Sequence, residues 1–397
     1  MVVRRGLAVG LPAVAILLVA LPQVAEATSL AQRLDRQFSA AGGAGSALAI
    51  ELKTGKTIWS RQPDTARIPA SVNKLYTTSA ALLGLGATRR LETSVLVAKR
   101  NEAAARSGEL RGNLYLDGQA DPTLASSDLT ALAKAVHSAG VRRVEGLVLG
   151  DEDFLDRIRG VPSHGPGIDP NLGGELGGLT YAHGASAHAT VTRFVVELRR
   201  AGVTVPKGHV GVGGSPPETA LLAKHSSPSI GALIGMINTP SDNFYAETLT
   251  KVQGAISLRQ GSTAAGLKAA ATTLGKLGVH PRRVDGSGIA RGNLTTPRTV
   301  VRLLSRMAGN SIFTRSLATA GRTGTLADRM RSGAAAGRCR AKTGTLSNVS
   351  ALAGYCAVAG GGSVAFAMLN NSTEPWKARK RQDAIVQALA AWRRPAG

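Results

Sequence analysis

Cysteine is nearly missing from this chain: Cys339 and Cys356 are the only two in 397 residues, which allows one disulfide at most. Acidic residues are few, 25 against 48 basic ones, and aromatics make up only 4%. The positive charges are scattered and lack interleaved aromatics, which disfavours a nucleic-acid partner. Beyond the first 27 residues no apolar run approaches the length of a transmembrane helix. No G-x-S-x-G, H-E-x-x-H or P-loop occurs, and this argues against a Ser/His/Asp hydrolase and a zinc peptidase. None of the seven histidines (137, 164, 183, 188, 209, 225 and 280) is needed for the chemistry developed below. No metal or cofactor is expected.

The 43% of hydrophobic residues are mostly Ala, Val and Leu, enough for two domains or one elaborated one. Arg4 and Arg5, the apolar run Leu7 to Val24, and Ala25-Glu26-Ala27 read as a signal peptide, 1–27. Pro12 and Pro22 argue against a permanent span, with an uncleaved anchor as the alternative. Removing Arg4, Arg5 and Glu26 takes the formal charge from +23 to +22. An exported chain this basic suits anionic wall polymers or a membrane surface, and a generally Arg-rich proteome would account for it equally well.

Three short motifs carry the chemistry. Ser71-Val72-Asn73-Lys74 is the one S-x-x-K in the chain. On a helix that spacing puts an amine beside a hydroxyl, with Val72, Leu75, Leu82 and Leu83 as an apolar stripe broken by Ser79. Ser71 then sits in the first turn, where free N–H groups favour negative charge. Ser241-Asp242-Asn243 supplies a second hydroxyl and a carboxamide. Lys342-Thr343-Gly344-Thr345 supplies a second amine on a predicted strand. Each has a bland reading as a cap, turn or strand end, and Lys53-Thr54-Gly55 and Arg322-Thr323-Gly324 are decoys of that kind. Their order along the chain is what makes the set informative.

The remaining elements are read from periodicity and turn residues. Helices are predicted over 29–38, 128–139, 191–201, 229–237, 263–277, 299–307 and 379–392. Strands are predicted over 46–52, 57–60, 93–98, 112–116, 144–149, 208–214, 340–346, 349–358 and 363–370, with a loop over 159–189. The positions of the two cysteines put them opposite each other in a hairpin centred between Ser347 and Asn348, a disulfide if oxidised and two buried thiols if not.

These motifs resemble the serine D-Ala-D-Ala peptidases, and more closely the class C low-molecular-mass penicillin-binding proteins, the D-alanyl-D-alanine carboxypeptidase/endopeptidase family. Asp285-Gly286-Ser287-Gly288, Gly150-Asp151-Glu152 and Ala351-Leu352-Ala353-Gly354-Tyr355 also match, over nearly all of the mature chain. Leu179-Thr180-Tyr181-Ala182-His183 departs from the family's Leu-Ser-Tyr-Asn pattern. The resemblance implies an α/β (α+β) fold, the serine β-lactamase/DD-peptidase fold: an antiparallel sheet flanked by helices. The catalytic domain would be 28–91 and 226–397, interrupted by an inserted smaller domain, 92–225.

It also implies roles. Ser71 is the nucleophile, and Lys74 its base, kept neutral by burial and by the nearby Lys342. Ser241 relays a proton to the leaving amine, and Asn243 orients Lys74 and the substrate amide. The backbone N–H groups of Ser71 and Thr345 form the oxyanion hole. Lys342, Thr343, Gly344 and Thr345 hold the terminal carboxylate. Arg291, Ser347 and Asp151 match positions that bind the free end of the peptide side chain. Peptidoglycan stem peptides would be the substrate and β-lactams the inhibitors, with the enzyme outside the cytoplasm. The alternatives are a slow penicillin-binding scaffold on the wall, or a β-lactamase-like hydrolase.

Overall fold

A computed structural model describes residues 1–2, 29–165 and 167–393. The expected signal peptide lies outside the described residues apart from its first two. Helix α1 (Leu30–Ser39) opens on a capping box between Ser29 and Gln32. Strands β1 (Ala44–Glu51) and β2 (Thr57–Arg61) then form a hairpin. Next comes α2 (Lys74–Gly84), entered through a 3₁₀ turn, Ala70–Asn73, that carries Ser71.

The segment that follows forms its own sheet. It contains β3 (Glu92–Ala98), α3 (Glu102–Arg106), β4 (Glu109–Leu110), β5 (Leu114–Gly118), α4 (Ser126–Ser138), β6 (Arg143–Val144), β7 (Val148–Asp151), α5 (Ala187–Arg200), β8 (Val210–Val212) and β9 (Thr219–Ser226). Five strands are ordered β8-β7-β5-β3-β9, with β7 parallel to both β5 and β8. Val95, Leu116, Leu129, Val191 and Phe194 belong to a separate hydrophobic core between this sheet and its two long helices.

The chain then returns through α6 (Ile230–Asn238), α7 (Asn243–Leu258), α8 (Thr263–Gly275), α9 (Pro297–Met307), α10 (Ser311–Ser316) and β10 (Ala318–Thr319). The hairpin of β11 (Cys339–Leu346) and β12 (Val349–Ala357), then β13 (Ser363–Asn371) and α11 (Pro375–Ala390), complete it. The main sheet is antiparallel, in the order β10-β11-β12-β13-β1-β2. One face packs on α2 and α6 to α9, the other on α1 and α11, so the alternating side chains of β12 and β13 enter two different cores. The fold is therefore α+β, with helices covering both faces of the sheet. Among the described residues no helix is long and apolar enough to cross a membrane.

Several expectations change. Helix α2 is buried on all sides from Lys74 to Leu82, so it has no stripe, and Leu83 is exposed at 44%. A helix enclosed by neighbours shows no periodicity to read. The Ser79 hydroxyl is buried without a partner. The strand predicted over 144–149 is two short pieces, β6 and β7, with Gly146 between them. A Cβ at Gly146 would strike the backbone of Gly112, so the chain breaks its strand where it passes closest to its neighbour. Strand β9 and helix α7 are additions to the expected elements. The stretch between the strands predicted over 93–98 and 112–116 holds α3 and β4, and α11 starts at Pro375 and stops short of Trp392.

Candidate active site

The site lies where the 3₁₀ turn, the start of α7 and the edge of β11 meet. Lys74 is fully buried, and its Nζ lies 2.9 Å from Ser71 Oγ, 2.6 Å from Asn243 Oδ1 and 2.8 Å from the Ser287 carbonyl. Three acceptors around one amine fix its direction, so the lone pair of neutral Lys74 is aimed at the Ser71 proton. Burial pulls the Lys74 pKa down to about 8, against the opposing pull of Asp285, Glu247 and Asp242.

The Ser287 carbonyl is held by a buried loop. Asp285 accepts from Gly288 N, Ala290 N and Asn293 Nδ2, and Asn73 Nδ2 donates to the Asp285 carbonyl. Glu247 accepts from Gly286 N and Ser287 N, and burial with the neighbouring Asp285 raises its pKa to about 7. Gly288 has φ +92°, and a Cβ there would run into the Ala70 carbonyl, so only glycine lets the loop lie this close to the turn. The motif match singles out Asp285 to Gly288 without giving the loop a role, and Asn73 and Glu247 carry no signal beyond their types.

Ser71 and Ser241 both stand next to or on unusual backbone: Ala70 has φ 47° and Ser241 φ 72°. Asp242 caps α7 through Tyr245 N, 2.8 Å away, and its other oxygen meets His183 Nε2 at 2.9 Å. Asn243 Nδ2 donates to the Asn171 carbonyl at 2.9 Å. Two residues of the long loop before α5 thus touch the second motif directly.

Strand β10 covers the outer edge of β11 only at Arg340 and Ala341, so Lys342 to Leu346 run as an open edge. At Gly344 a Cβ would come within 2.5 Å of the Pro69 carbonyl and 3.1 Å of Ser71 N, so this edge backs directly onto the nucleophile turn. A cavity of about 400 Å³ is lined by Ser71, Ser241, Asn243, Thr325, Arg329, Thr343, Thr345 and Arg379. Thr325, Arg329 and Arg379 belong to none of the three motifs; Thr325 falls in Gly324-Thr325-Leu326, a further stretch that matches the family without a role attached, while sequence reasoning misses Arg329 and Arg379.

Burial is what lowers the Lys74 pKa, and the Lys342 pKa falls well below the usual lysine range, through burial and then through the charge on Lys74. Repulsion between two amines is mutual, and the carboxylates around Lys74 decide that it keeps its proton longer. Lys342 Nζ donates to the Thr343 carbonyl at 3.0 Å. Among the described residues no hydrogen bond joins Asp151 to Arg291 or Ser347. The Asp151 oxygens accept from Ser215 N, Ser215 Oγ and Asp153 N, tying down the end of β7. Arg291 does reach Ser347, at 2.7 Å to the carbonyl and 2.5 Å to Oγ, and also Asn348 Oδ1 at 3.1 Å. Cys339 and Cys356 pair across β11 and β12 and are joined by a disulfide, with Asn348 at φ 57° in the turn.

A buried amine on a serine hydroxyl, a second serine and carboxamide on a helix start, and a Lys-Thr-Gly-Thr edge strand define a serine D-Ala-D-Ala peptidase. The chain belongs to the D-Ala-D-Ala carboxypeptidase 3 (S13) family, whose profile matches residues 27–167 and 177–392. A D-alanyl-D-alanine carboxypeptidase of Actinomadura sp. is 32% identical, over 88% of this chain and 82% of its own. Carboxypeptidase DacB of Mycolicibacterium smegmatis is 28% identical, over 85% of this chain and 78% of its own. The fold is that of penicillin-binding protein 4 (dacB) from Haemophilus influenzae, with TM-score 0.77 and 21% identity over 91% of this chain and all of the other. That protein has also been solved in complex with a β-lactam.

Proposed function

We propose that this protein is an exported serine carboxypeptidase that removes the terminal D-alanine from peptidoglycan stem peptides through an acyl-enzyme on Ser71. The contact between Lys74 Nζ and Ser71 Oγ at 2.9 Å carries this reading. Lys74, when neutral, takes the Ser71 proton, and Ser71 Oγ attacks the carbonyl between the two D-alanines. The oxygen of that carbonyl turns toward the backbone N–H groups of Ser71 and Thr345. The proton taken by Lys74 reaches the departing D-alanine nitrogen through Ser241, and water then releases the acyl group. The open edge of β11 suits an extended substrate backbone laid beside it.

The same reading divides the chain into a catalytic domain, 28–91 and 226–397, and an inserted domain, 92–225. It gives Arg291 and Ser347 to the side-chain end of the peptide. β-Lactams are its inhibitors, and the wall side of the membrane is where it works. The cavity lining contains no carboxylate among the described residues, and Glu247 faces the backbone of Gly286 and Ser287. This disfavours a hydrolase like the class A β-lactamases, in which a carboxylate primes the deacylating water. D-Ala release from a pentapeptide by wild type and Ser71→Ala tests the proposal, together with mapping of the residue labelled by a fluorescent penicillin. Equal release by both proteins, or label on another residue, would refute it.

A further inference from the structure

The C-terminal carboxylate of a D-Ala-D-Ala peptide calls for a positive partner, and Lys342 is badly placed to be one. Its amine is fully buried and spends a donor on the Thr343 carbonyl. Two guanidinium groups line the cavity instead. Arg329 is committed: Nε and Nη2 grip Asp383 Oδ1 at 3.0 and 2.7 Å, which neutralises the pair. Arg379 is different. It lies exposed in the first turns of α11 and donates from Nη2 to Thr345 Oγ1 at 2.9 Å. Among the described residues it has no carboxylate partner.

We propose that Arg379 is the counter-charge that binds the substrate's terminal carboxylate, together with the hydroxyls of Thr343 and Thr345. By donating to Thr345 Oγ1, Arg379 leaves the Thr345 hydroxyl proton free to point into the cavity. The rest of its five donors remain available for a two-point grip on a carboxylate. Thr343 Oγ1 is fixed on the other side by Thr325 Oγ1 at 2.8 Å. Helix α11 is pinned just beyond Arg379, by Gln382 Nε2 on Asn370 Oδ1 at 3.0 Å and by Asp383 on Arg329. The guanidinium is thus held on a rigid element rather than a loop, as an orienting group needs to be.

This inference rests on the carboxypeptidase reading, and its test separates the two. Wild type, R379A and R379K are compared on a D-Ala-D-Ala peptide with a free C-terminal carboxylate and on the same peptide as its carboxamide. For R379A the KM of the acid should rise roughly 10–100-fold, the range for losing a charge-assisted hydrogen bond. The kcat should stay within about threefold, because the contact is made in the ground state as well as the transition state. The carboxamide should be processed as by wild type, and R379K should recover part of the loss because charge returns without the fork. An unchanged KM for the acid, or an equal loss on both peptides, would overturn the proposal; where the carboxamide is not turned over, the KM of the acid decides. Absence of D-Ala release by wild type, or its survival in S71A, would count against the peptidase reading instead.

Discussion

The protonation of Lys74 sets a pH profile that can be worked out from its surroundings. Burial brings its pKa to about 8, so the amine that must accept the Ser71 proton is still mostly charged at neutral pH. With that value about one-tenth of the molecules hold neutral Lys74 at pH 7, and about nine-tenths at pH 9. The rate constant for acylation, kcat/KM, reports the free enzyme and should therefore climb about tenfold per unit below pH 8 and level off above it. The assay is the second-order rate of acylation by a fluorescent penicillin, measured from pH 6 to pH 10 at constant ionic strength. Asp242→Asn provides a directional control. Asn can still cap α7, while the lost charge was one of three holding the Lys74 proton, so the midpoint should move to lower pH.

The opposite limb is as informative. If Lys342 had to be an ammonium to hold the carboxylate, the productive enzyme would carry one proton on the two amines. That proton is already present below pH 8, on Lys74, so the rate would fall as pH rises through 8. A falling limb there would refute the reasoning and return the carboxylate to Lys342. A flat profile from pH 6 to pH 10 would show that Lys74 is not the base.

Three further substitutions test the supporting structure. Asn243→Ala removes the acceptor 2.6 Å from Lys74 Nζ and should slow acylation roughly 10–100-fold, the range for a hydrogen bond to a charged group. His183→Ala removes the 2.9 Å bond to Asp242 that steadies the strained Ser241, and should cost between about twofold and tenfold in kcat with little change in KM. Cys339→Ala with Cys356→Ala opens a loop of 17 residues and should lower stability by about 3 kcal/mol in urea unfolding, leaving the acylation rate of the folded protein unchanged.

What can be read from the sequence is whatever local chemistry dictates. The β11–β12 hairpin is an example: two cysteines equidistant from Ser347-Asn348, with Asn348 able to take positive φ, set the register through Leu346 and Val349. The motif residues Ser71, Lys74, Asn243 and Thr345 are legible because their types and order carry the chemistry. Helix α7 is hidden, since its buried residues include Glu247, Thr250 and Lys251 alongside Phe244 and Leu249 and so follow no apolar stripe. Arg379 is hidden for the reverse reason: among Lys377, Arg379, Lys380 and Arg381 nothing in the sequence separates the one that turns to the cavity from its solvated neighbours.

The two buried lysines show what residue types cannot carry. Two lysines in one site suggest two cations, but a buried amine is charged only as far as its neighbours allow. Around Lys74 stand Asp285, Glu247 and Asp242, fixed by the loop of Gly286 to Ala290 and by the start of α7. Lys342 has a single carbonyl. The same burial therefore leaves one amine poised near neutrality, suited to take and return a proton, and pulls the pKa of the other well below the usual lysine range. A cation for recognition of a carboxylate stands at the cavity outside the buried pair: Arg379 on α11, which among the described residues has no carboxylate partner and keeps donors beyond the one spent on Thr345 Oγ1.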